Sequence, residues 1–548
     1  MHVFSRSLRQ RIFLSGLAGL LIFLSTTVAR EVPLAERLVL SPAPRVVQYE
    51  KQTHPFPREI AVSGLNPADP AHETTLETFR NLQGILTATT VVFRQTGEYP
   101  IVFSQSDAIA HREGYRLDAS GSGMRITYRT AAGMFYGAQT AYQILAHADA
   151  GHRFLYFDER PAEPEKSLPV VSIEDSPAYA TRSFLIDLGR APFSPALLKR
   201  VVRIAAHLKI NALHVRLYDD ELGGFRFSQL PLGRENPFAL DADDLKELVR
   251  YARRYHMAII PELESWAHVQ SITHHFPELR GTDGMWGGAS FGIGERTYAL
   301  LEKIYDEVVP CLEDTAAVHV GLDEAVWAVL PGEENRGHTP ENMVGRIHEI
   351  LMRVARRHGK KITMHLWADH GGRPIPVAIR DQVVVEPWGY HETMKEEIFE
   401  KLRTFGGAGK TPVMMGAGVS WTRVNGDYEA SRLWAQEGLK YPNVVGITLC
   451  LWGTNDVGGR LMTLFGGAGV AWSPHSFVRA ANDPLGESLR NAKDREMRKW
   501  QAIFPDADRQ VIDLDRGPEI VVGRYVNRPY AGYPVAPTAE PPAFGRQP

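Results

Sequence analysis

Short apolar runs alternate with helix-length amphipathic segments from about residue 182 to residue 475. This alternation predicts the strands of a parallel sheet joined by helices. We predict strands over residues 184–188, 212–218, 258–263, 318–321, 362–367, 383–388, 413–416 and 445–452. Eight strand and helix repeats fit a (β/α)8 TIM barrel, an α/β fold. A doubly wound open sheet is the alternative, although no glycine-rich phosphate turn follows the first strand.

Two of the intervening segments carry clear helix signals. Ser194 is a candidate N-cap and Pro195 occupies the first helical position, which predicts a helix over residues 195–208. Apolar residues at helical spacing predict a second helix over residues 243–255. Both helices would connect neighbouring barrel strands.

Residues 30–171 have a mixed pattern that predicts a small α+β domain before the barrel. Alternating residues on both sides of Ser120-Gly121-Ser122-Gly123 predict a hairpin, and a helix is expected after Thr130. The stretch 160–169, which contains Pro and Glu, is predicted to link this domain to the barrel domain of residues 172–512. The tail, residues 513–548, is rich in Pro, Gly and Ala and is predicted to be irregular.

The first 29 residues have the pattern of a cleavable signal peptide. Arg6, Arg9 and Arg11 precede an apolar run, and Thr27-Val28-Ala29 follows it. We predict cleavage after Ala29 and a secreted or periplasmic protein. No stable membrane anchor is expected because the apolar run is short, and an uncleaved anchor is the alternative.

Composition narrows the classes of partner. The chain has 548 residues, 44% apolar content and a formal net charge of -3, so it can bury large cores. This balance gives no electrostatic reason to expect nucleic acid, and a small neutral ligand fits better. The two cysteines, Cys311 and Cys450, are too few for disulfides to be the main support. No cofactor is predicted.

Polar and aromatic residues cluster where the predicted strands end. The run HVGLDEAVW delivers two adjacent carboxylates, Asp323 and Glu324, at such an end. Indole faces can cover the C–H face of a pyranose while charged groups hydrogen-bond its hydroxyls, so the combination predicts a sugar site. The residues concerned are Asp187, Arg190, Asp219, Asp220, Glu221, Glu262, Glu264, His268, Asp323, Glu324, Trp367, Asp369, Trp388, Trp421 and Trp452.

Each of these residues also has a purely structural interpretation. The tryptophans could be core aromatics, His268 a structural imidazole and Arg190 an ion-pair partner of Asp187. Asp219 and Asp220 could simply begin a solvated loop. A metal site is a further alternative, but tight His-x-x-x-His or Cys-x-x-Cys spacing is missing from its donors, so no metal is predicted. Those donors would be His214, Asp219, Glu262, Glu264, His268 and His319.

Several ordered motifs resemble glycoside hydrolase family 20, the β-N-acetylhexosaminidases. HVGLDE at 319–324 resembles the family's H-[IV]-G-G-D-E, with Leu322 in place of the second Gly. IDLGR at 186–190 resembles L-D-x-[SA]-R, ALHVRLYDD at 212–220 resembles L-H-W-H-L-x-D-D, and IIPELESWAH at 259–268 resembles V-I-P-E-I-D-x-P-G-H. Residues 114–145 resemble the small domain that precedes the barrel in this family. The resemblance covers roughly residues 35–475.

The resemblance implies a retaining exo-glycoside hydrolase that removes a terminal N-acetylhexosamine (GlcNAc or GalNAc) from an oligosaccharide or glycoconjugate. Glu324 would be the general acid and base, and Asp323 would orient the 2-acetamido group, whose carbonyl oxygen is the nucleophile. Asp219 and His268 would form a relay to Glu324, and Arg190 would hold ring hydroxyls. Trp367, Trp388 and Trp452 would surround the acetamide and the sugar ring.

The chain departs from the family pattern in ways that leave specificity open. The Pro-Gly turn before His268 is missing, and Thr454 stands where the family has a Glu, although Asp456 could supply that charge. The family's acetamide-binding Tyr has Ser420, Trp421 and Tyr428 as candidate replacements. A non-catalytic carbohydrate-binding protein, or a hydrolase of a modified hexosamine or disaccharide unit, is therefore the alternative function.

Overall fold

A computed structural model of the chain describes residues 40–86, 88–150, 166–284, 288–368, 375–419, 428–452 and 467–475. Its strands are β1 (Val46–Pro55), β2 (Glu59–Ser63), β3 (Thr90–Phe93), β4 (Tyr99–Gln105), β5 (Tyr115–Ser120), β6 (Gly123–Tyr128), β7 (Ser167–Asp175), β8 (Thr181–Asp187), β9 (Ala212–Arg216), β10 (Ala258–Glu262), β11 (Arg280–Asp283), β12 (Ala289–Phe291), β13 (Thr315–His319), β14 (Lys361–Trp367), β15 (Val383–Glu386), β16 (Val413–Val419) and β17 (Val444–Leu451). Its α-helices are α1 (Glu73–Ile85), α2 (Ala131–Ala150), α3 (Pro195–His207), α4 (Ala242–Arg254), α5 (Gln270–Thr273), α6 (Glu295–Val308), α7 (Pro340–Arg357), α8 (Lys395–Phe405) and α9 (Tyr428–Gly438).

The predicted barrel is confirmed. Parallel strands close in the order β10-β13-β14-β15-β16-β17-β8-β9, and each overlaps one of the predicted apolar runs. Strand β17 pairs with β8 over six residues, so the last strand of the repeat meets the first. A closed ring of strands has no free sheet edge, so the alternative of a doubly wound open sheet is excluded.

Helix signals in the sequence correspond to real caps. The Ser194 hydroxyl accepts the Leu197 backbone N–H at 3.1 Å and starts α3. Helix α4 begins one residue before its predicted start because Asp241 forms a reciprocal capping box with Asp244. These caps satisfy N–H groups that the first helical turn leaves without partners.

The small α+β domain before the barrel is also confirmed. Its seven-stranded sheet has the order β1-β7-β5-β6-β4-β2-β3, and helices α1 and α2 accompany it. Strands β5 and β6 form the predicted hairpin. Strand β7 begins inside the stretch predicted as a linker, 160–169, and extends beyond residue 171. The domain limits proposed from the sequence remain predictions.

The signal segment 1–29 and the tail 513–548 lie outside the described residues, and both remain predictions. Within the described part of the chain, we find no helix with the length and apolar character needed to cross a membrane. Cys311 and Cys450 are both buried and not bonded to each other.

Candidate active site

The register of the parallel strands places a layer of polar side chains at one level of the barrel. Asp187 lies opposite Arg216, Arg216 opposite Glu262, and Glu262 opposite His319. All four residues are buried. Because these residues lie at or next to the carboxyl ends of their strands, the loops that follow carry the remaining predicted site residues.

Asp323 and Glu324 lie on a tight turn directly after β13. Gly321, Leu322 and Glu324 have positive φ values of 69°, 77° and 49°. A Cβ atom on Gly321 would lie 1.8 Å from Oε2 of Glu264, so only glycine fits there. Asp323 and Glu324 keep 13% and 20% of their side chains exposed, whereas the neighbouring Glu264 side chain is fully buried. The turn therefore presents this carboxylate pair to solvent.

His268 contacts both members of the pair. Its Nε2 atom lies 3.2 Å from Oε2 of Glu324 and 3.7 Å from Oδ2 of Asp323. On the other side of the ring, Nδ1 lies 3.0 Å from Oδ2 of Asp220. The other oxygen of Asp220 accepts the backbone N–H groups of Gln270 and Ala289, at 2.9 and 3.1 Å. These contacts fix an Asp220–His268–Glu324 chain.

Asp219, the predicted relay partner, makes its shortest side-chain contacts with two arginines. It lies 3.8 Å from Nδ1 of His268, farther than Asp220. Its two oxygens instead pair with Nε of Arg190 at 3.2 Å and Nε of Arg216 at 2.6 Å. Asp219 and Asp220 are buried, so neither belongs to a solvated loop. The sequence singled out the adjacent pair but could not tell which carboxylate faces the imidazole.

Arg190 lies where four of the predicted polar residues meet. Besides Asp219, its guanidinium faces Asp187 at 3.7 Å, Glu221 at 3.6 Å and Nδ1 of His268 at 3.4 Å. The suggested Arg190–Asp187 ion pair is therefore present, but it is one contact of several. About 15% of the Arg190 side chain remains exposed, which leaves part of its donor fork accessible.

An aromatic cluster lines the same end of the barrel. Trp367 and Trp452 pack with Leu185 and Cys450, and Trp388 and Tyr390 pack against this group. The rings of Trp367 and Trp452 are 5.7 Å apart, and Trp388 stacks on Tyr390 at 5.3 Å. Trp452 also lies beside the guanidinium groups of Arg190 and Arg216, at 5.5 and 5.4 Å. Three predicted tryptophans thus lie together. Trp367 and Trp452 are buried, and Trp452 contacts the two guanidinium groups.

Burial and neighbouring negative charges raise the pKa of two carboxyl groups of the site, those of Asp187 and Glu264. Burial and the nearby Asp219 raise the pKa of Asp187 to about 7, against the opposing effect of Arg190. Burial and the adjacent Asp323 raise the pKa of Glu264 well above its ordinary value. Oε1 of Glu264 accepts four backbone N–H groups, and the carboxyl group lies within 4.8 Å of that of Asp323. A protonated Glu264 can still accept these backbone N–H groups through its carbonyl oxygen.

The possible metal donors do come together, but in more than one group. His214, Glu262 and His319 form one cluster, and Asp219, Asp220 and His268 form a second. A third, Glu262, Glu264 and Asp323, shares Glu262 with the first. Their carboxylates already have cationic or N–H partners: Glu262 accepts from Nη1 of Arg216 at 2.6 Å and from Nε1 of Trp367 at 2.8 Å. A guanidinium in direct contact with a donor set disfavours a further cation there.

Some site predictions cannot be placed. Trp421 and Asp456 lie outside the described residues, as do Asp369, Ser420 and Thr454. Conversely, sequence reasoning missed Arg216 as a site residue. The available signal was its position at the end of a predicted strand, two residues after His214, where a charged residue must face either the barrel interior or its helices.

The chain matches two models of glycoside hydrolase family 20. The family model described as "Glycosyl hydrolase family 20, catalytic domain" matches residues 179–401, and "Glycosyl hydrolase family 20, domain 2" matches residues 38–176. The chain is 27% identical over 289 residues to "Beta-hexosaminidase" of Porphyromonas gingivalis, covering 46% of this chain and 35% of that protein. It is 28% identical over 245 residues to "Beta-N-acetylhexosaminidase" of Cellulomonas fimi, covering 40% and 45%. The matches thus span less than half of these relatives.

Solved structures share the fold. The chitobiase of Flavobacterium johnsoniae superimposes with a TM-score of 0.62 at 16% identity, covering 84% of this chain and 72% of that one. The N-acetyl-beta-hexosaminidase of Streptomyces plicatus, in complex with Thio-NAglucal, gives a TM-score of 0.59 at 21% identity, covering 86% and 95%. At such identities the likeness establishes the fold alone.

Proposed function

Because the chain belongs to glycoside hydrolase family 20, we propose that it is a retaining exo-hydrolase that removes terminal N-acetylhexosamine from oligosaccharides or glycoconjugates. The observation that carries this proposal is the shared contact of Glu324 and Asp323 with Nε2 of His268, at 3.2 and 3.7 Å, beside the tryptophan cluster. This arrangement couples a proton donor to a second carboxylate next to a surface suited to a sugar ring.

Adjacent carboxylates favour substrate assistance over the usual two-carboxylate schemes. Those schemes place the two carboxyl groups on opposite sides of the scissile bond, about 5 to 9.5 Å apart. Asp323 and Glu324 instead contact one imidazole nitrogen from the same turn. With Asp323 hydrogen-bonded to the acetamide N–H, the acetamide carbonyl oxygen would attack the anomeric carbon and form a cyclic oxazolinium intermediate.

Glu324 would supply the proton for the leaving oxygen. As its proton moves to the glycosidic oxygen, Glu324 becomes a carboxylate, and the adjacent His268 cation stabilises that charge. Burial alone would lower the pKa of His268, but Asp219, Asp220 and Glu324 raise it well above its ordinary value. Glu324 could then take a proton from the water that opens the intermediate with retention of configuration.

Asp220 and Arg190 would complete the machinery. Asp220, rather than Asp219, would orient His268, because it makes the shorter contact and is itself held by two backbone N–H groups. Arg190 would bind ring hydroxyls with the accessible part of its guanidinium. Trp367, Trp388 and Trp452 would enclose the acetamide and the sugar ring.

Charge-removing variants at the pair test the proposal on an aryl N-acetyl-β-glucosaminide. Glu324→Gln should lower kcat/KM by about 10²- to 10⁴-fold, the usual value of general acid–base catalysis. Asp323→Asn should lower kcat by about 10²- to 10³-fold because a charge-stabilising group is lost. The controls Glu302→Gln and Asp306→Asn lie on α6, with 27% and 32% of their side chains exposed, and should retain full activity.

Two outcomes would count against the proposal. Unchanged turnover by folded Glu324→Gln would remove this residue from the mechanism. Calorimetric binding of N-acetylglucosamine by the wild type, with no hydrolysis after long incubation, would favour a carbohydrate-binding protein that has lost catalysis.

We also propose that the protein is exported, which rests on the N-terminal pattern of the sequence. Sequencing the N-terminus of the protein recovered from the culture medium or periplasm should give Arg30 as the first residue. Recovery of the intact chain starting at Met1 would contradict cleavage.

A further inference from the structure

Arg216 is the last residue of β9 and lies directly beneath the carboxylate pair. Its side chain is fully buried. Nε lies 2.6 Å from Asp219, Nη1 lies 2.6 Å from Glu262 and 3.6 Å from Oδ1 of Asp323, and Nη2 lies 3.5 Å from Glu264. One guanidinium therefore joins carboxyl groups from the ends of three neighbouring barrel strands.

The charge balance around Arg216 makes this contact important for Asp323. Carboxyl groups outnumber cations in the cluster, so each guanidinium forms ion pairs with several carboxyl groups. The groups facing Arg216 and Asp323 are the carboxyls Asp187, Asp219, Glu262, Glu264 and Glu324, the bases His268 and His319, the cation Arg190, and the thiol of Cys450. Arg216 and His268 lie within 4 Å of the Asp323 carboxylate, and the Glu264 carboxyl group lies within 4.8 Å of it.

Three groups lie close to the Asp323 carboxylate. Nη1 of Arg216 lies 3.6 Å from Oδ1, Nε2 of His268 lies 3.7 Å from Oδ2, and the Glu264 carboxyl group lies within 4.8 Å of the Asp323 carboxyl group. Arg216 is the permanently charged member of this group, since an arginine keeps its proton at any ordinary pH. Its planar fork also fixes direction, because the same guanidinium is anchored by Asp219 and Glu262.

Position 216 also separates this chain from the family pattern. The motif aligned with residues 212–220 has His at this position, and the motif aligned with residues 259–268 has Asp where this chain has Glu264. Arginine and glutamate are both longer than the residues they replace. Here they meet each other at 3.5 Å, under the same carboxylate.

We propose that Arg216 is a positioning residue that holds the Asp323 carboxylate in the direction needed to accept the acetamide N–H. This role rests on the proposed function. Arg216 itself touches neither sugar nor leaving group, since it is completely buried behind Asp323. Its effect should therefore appear in the chemical step more than in substrate binding.

Two substitutions test the role with the aryl N-acetyl-β-glucosaminide, assayed from pH 4 to pH 9. Arg216→Met removes a cation shared by the carboxyl groups around it, which favours their protonated forms, so kcat should fall and the acidic limb of the kcat/KM profile should move upward. Arg216→Lys keeps the charge but loses the fork. The acidic limb should then stay in place while kcat falls about 10-fold or more and KM changes less than about two-fold.

Arg182→Met is the matched control. Arg182 is another fully buried arginine of the barrel, paired with Glu113 at 2.7 Å and lying over Trp472 at 4.9 Å. Its loss should lower thermal stability without moving the acidic limb. If the Arg182→Met limb moves as far as that of Arg216→Met, the effect is a general consequence of core damage and the positioning role is overturned.

The other possible results also test the positioning role of Arg216. A folded Arg216→Met variant with wild-type kcat and pH profile would overturn the positioning role. If Arg216→Met shows no cooperative thermal transition, Arg216→Lys decides alone, and an unchanged kcat in that variant would be the contradicting result. If the wild type itself hydrolyses no N-acetylhexosaminide, the proposed function fails and the positioning role fails with it. Wild-type turnover with unaffected Arg216 variants would overturn the positioning role only.

Discussion

At the scale of single residues, His268 is the group whose charge connects the buried acids to the reactive pair. It contacts Asp220 on one side and Glu324 on the other, and it has a positive φ of 48°. Left-handed backbone at a residue other than glycine is costly and is held by its surroundings. The imidazole is therefore fixed both by its backbone and by its carboxylate partners.

The raised pKa of His268 predicts how stability changes with pH. The unfolded chain releases the histidine proton near pH 6.5, whereas the folded protein keeps it to higher pH. The stabilisation is thus complete below about pH 6.5 and is lost as the pH rises through the folded-state pKa, by up to about 1.4 kcal/mol per pH unit. His268→Asn should remove this decline, which urea unfolding at a series of pH values from 6.5 to 9.5 would measure.

His256→Asn is the control for this prediction. His256 also has a positive φ, of 58°, but burial lowers its pKa to about 4, so it releases no proton above pH 6.5 in the folded state. Its pH dependence above 6.5 should parallel that of the wild type. Parallel curves for the wild type and His268→Asn would show that His268 is not charged as described.

The site could be predicted from the sequence only in part. The predicted strand ends indicated which residues lie together, because parallel strands have their carboxyl ends at the same end of the barrel. The sequence could not predict which carboxylate pairs with His268. Asp219 and Asp220 are adjacent in the chain, and only the path of the backbone decides which one lies closer to the imidazole. Arg216 was missed because a strand pattern does not reveal whether a charged residue faces the barrel interior.

At the scale of elements, the turn after β13 carries an unusual residue. Leu322 is fully buried yet has a φ of 77°, in a conformation that favours glycine, and its backbone N–H donates to Glu264 at 2.9 Å. Left-handed backbone costs a residue with a side chain about 1 to 2 kcal/mol, whereas a buried leucine contributes more than this through packing. The turn therefore exchanges backbone strain for core contacts.

This exchange predicts an inverted order of two variants. Leu322→Ala loses the packing and keeps the strain, whereas Leu322→Gly loses the packing and relieves the strain. Both should be less stable than the wild type, and Leu322→Gly should be more stable than Leu322→Ala by about 1 kcal/mol. Chemical denaturation measures the difference, and the usual order, with Ala the more stable, would contradict the strain.

Elements with a local signal were predicted well from the sequence. The barrel strands have short apolar runs, and α3 and α4 have caps within a few residues of their starts. Strand β7, which pairs with β1 and β5, was not predicted. Pro169 lies inside this strand, and a proline argues against a strand in the sequence, so the start of β7 was assigned to the linker.

At the scale of the whole molecule, a buried ion pair connects the small domain to the barrel. Lys209, which follows α3, donates to Asp175 of β7 at 2.9 Å and to the Tyr115 hydroxyl at 2.8 Å. Its ammonium also lies 4.6 Å from the Trp472 ring, whose Nε1 donates to Asp175. Both charged side chains are completely buried. The sheet thus forms a charged contact with the barrel that water does not screen.

Removing the cation should therefore be costly. Lys209→Met leaves the buried Asp175 without its charged partner and should lower the free energy of unfolding by about 3 to 5 kcal/mol. The control Lys199→Met breaks a partly exposed pair with Glu247, which water screens, and should have a much smaller effect on the free energy of unfolding. Urea denaturation measures the free energy of unfolding of both variants. Equal losses would show that the buried pair contributes no more stability than the exposed pair.

The central claim is that the substrate's own acetamide acts as the nucleophile at this barrel mouth. The most direct measurement compares kcat/KM for an aryl 2-acetamido-2-deoxy-β-glucoside with that for the matching aryl β-glucoside, which has a 2-hydroxyl. The account predicts that the acetamido substrate is faster by at least about 10³-fold, because only it has an intramolecular nucleophile. Comparable rates for the two substrates would contradict the account.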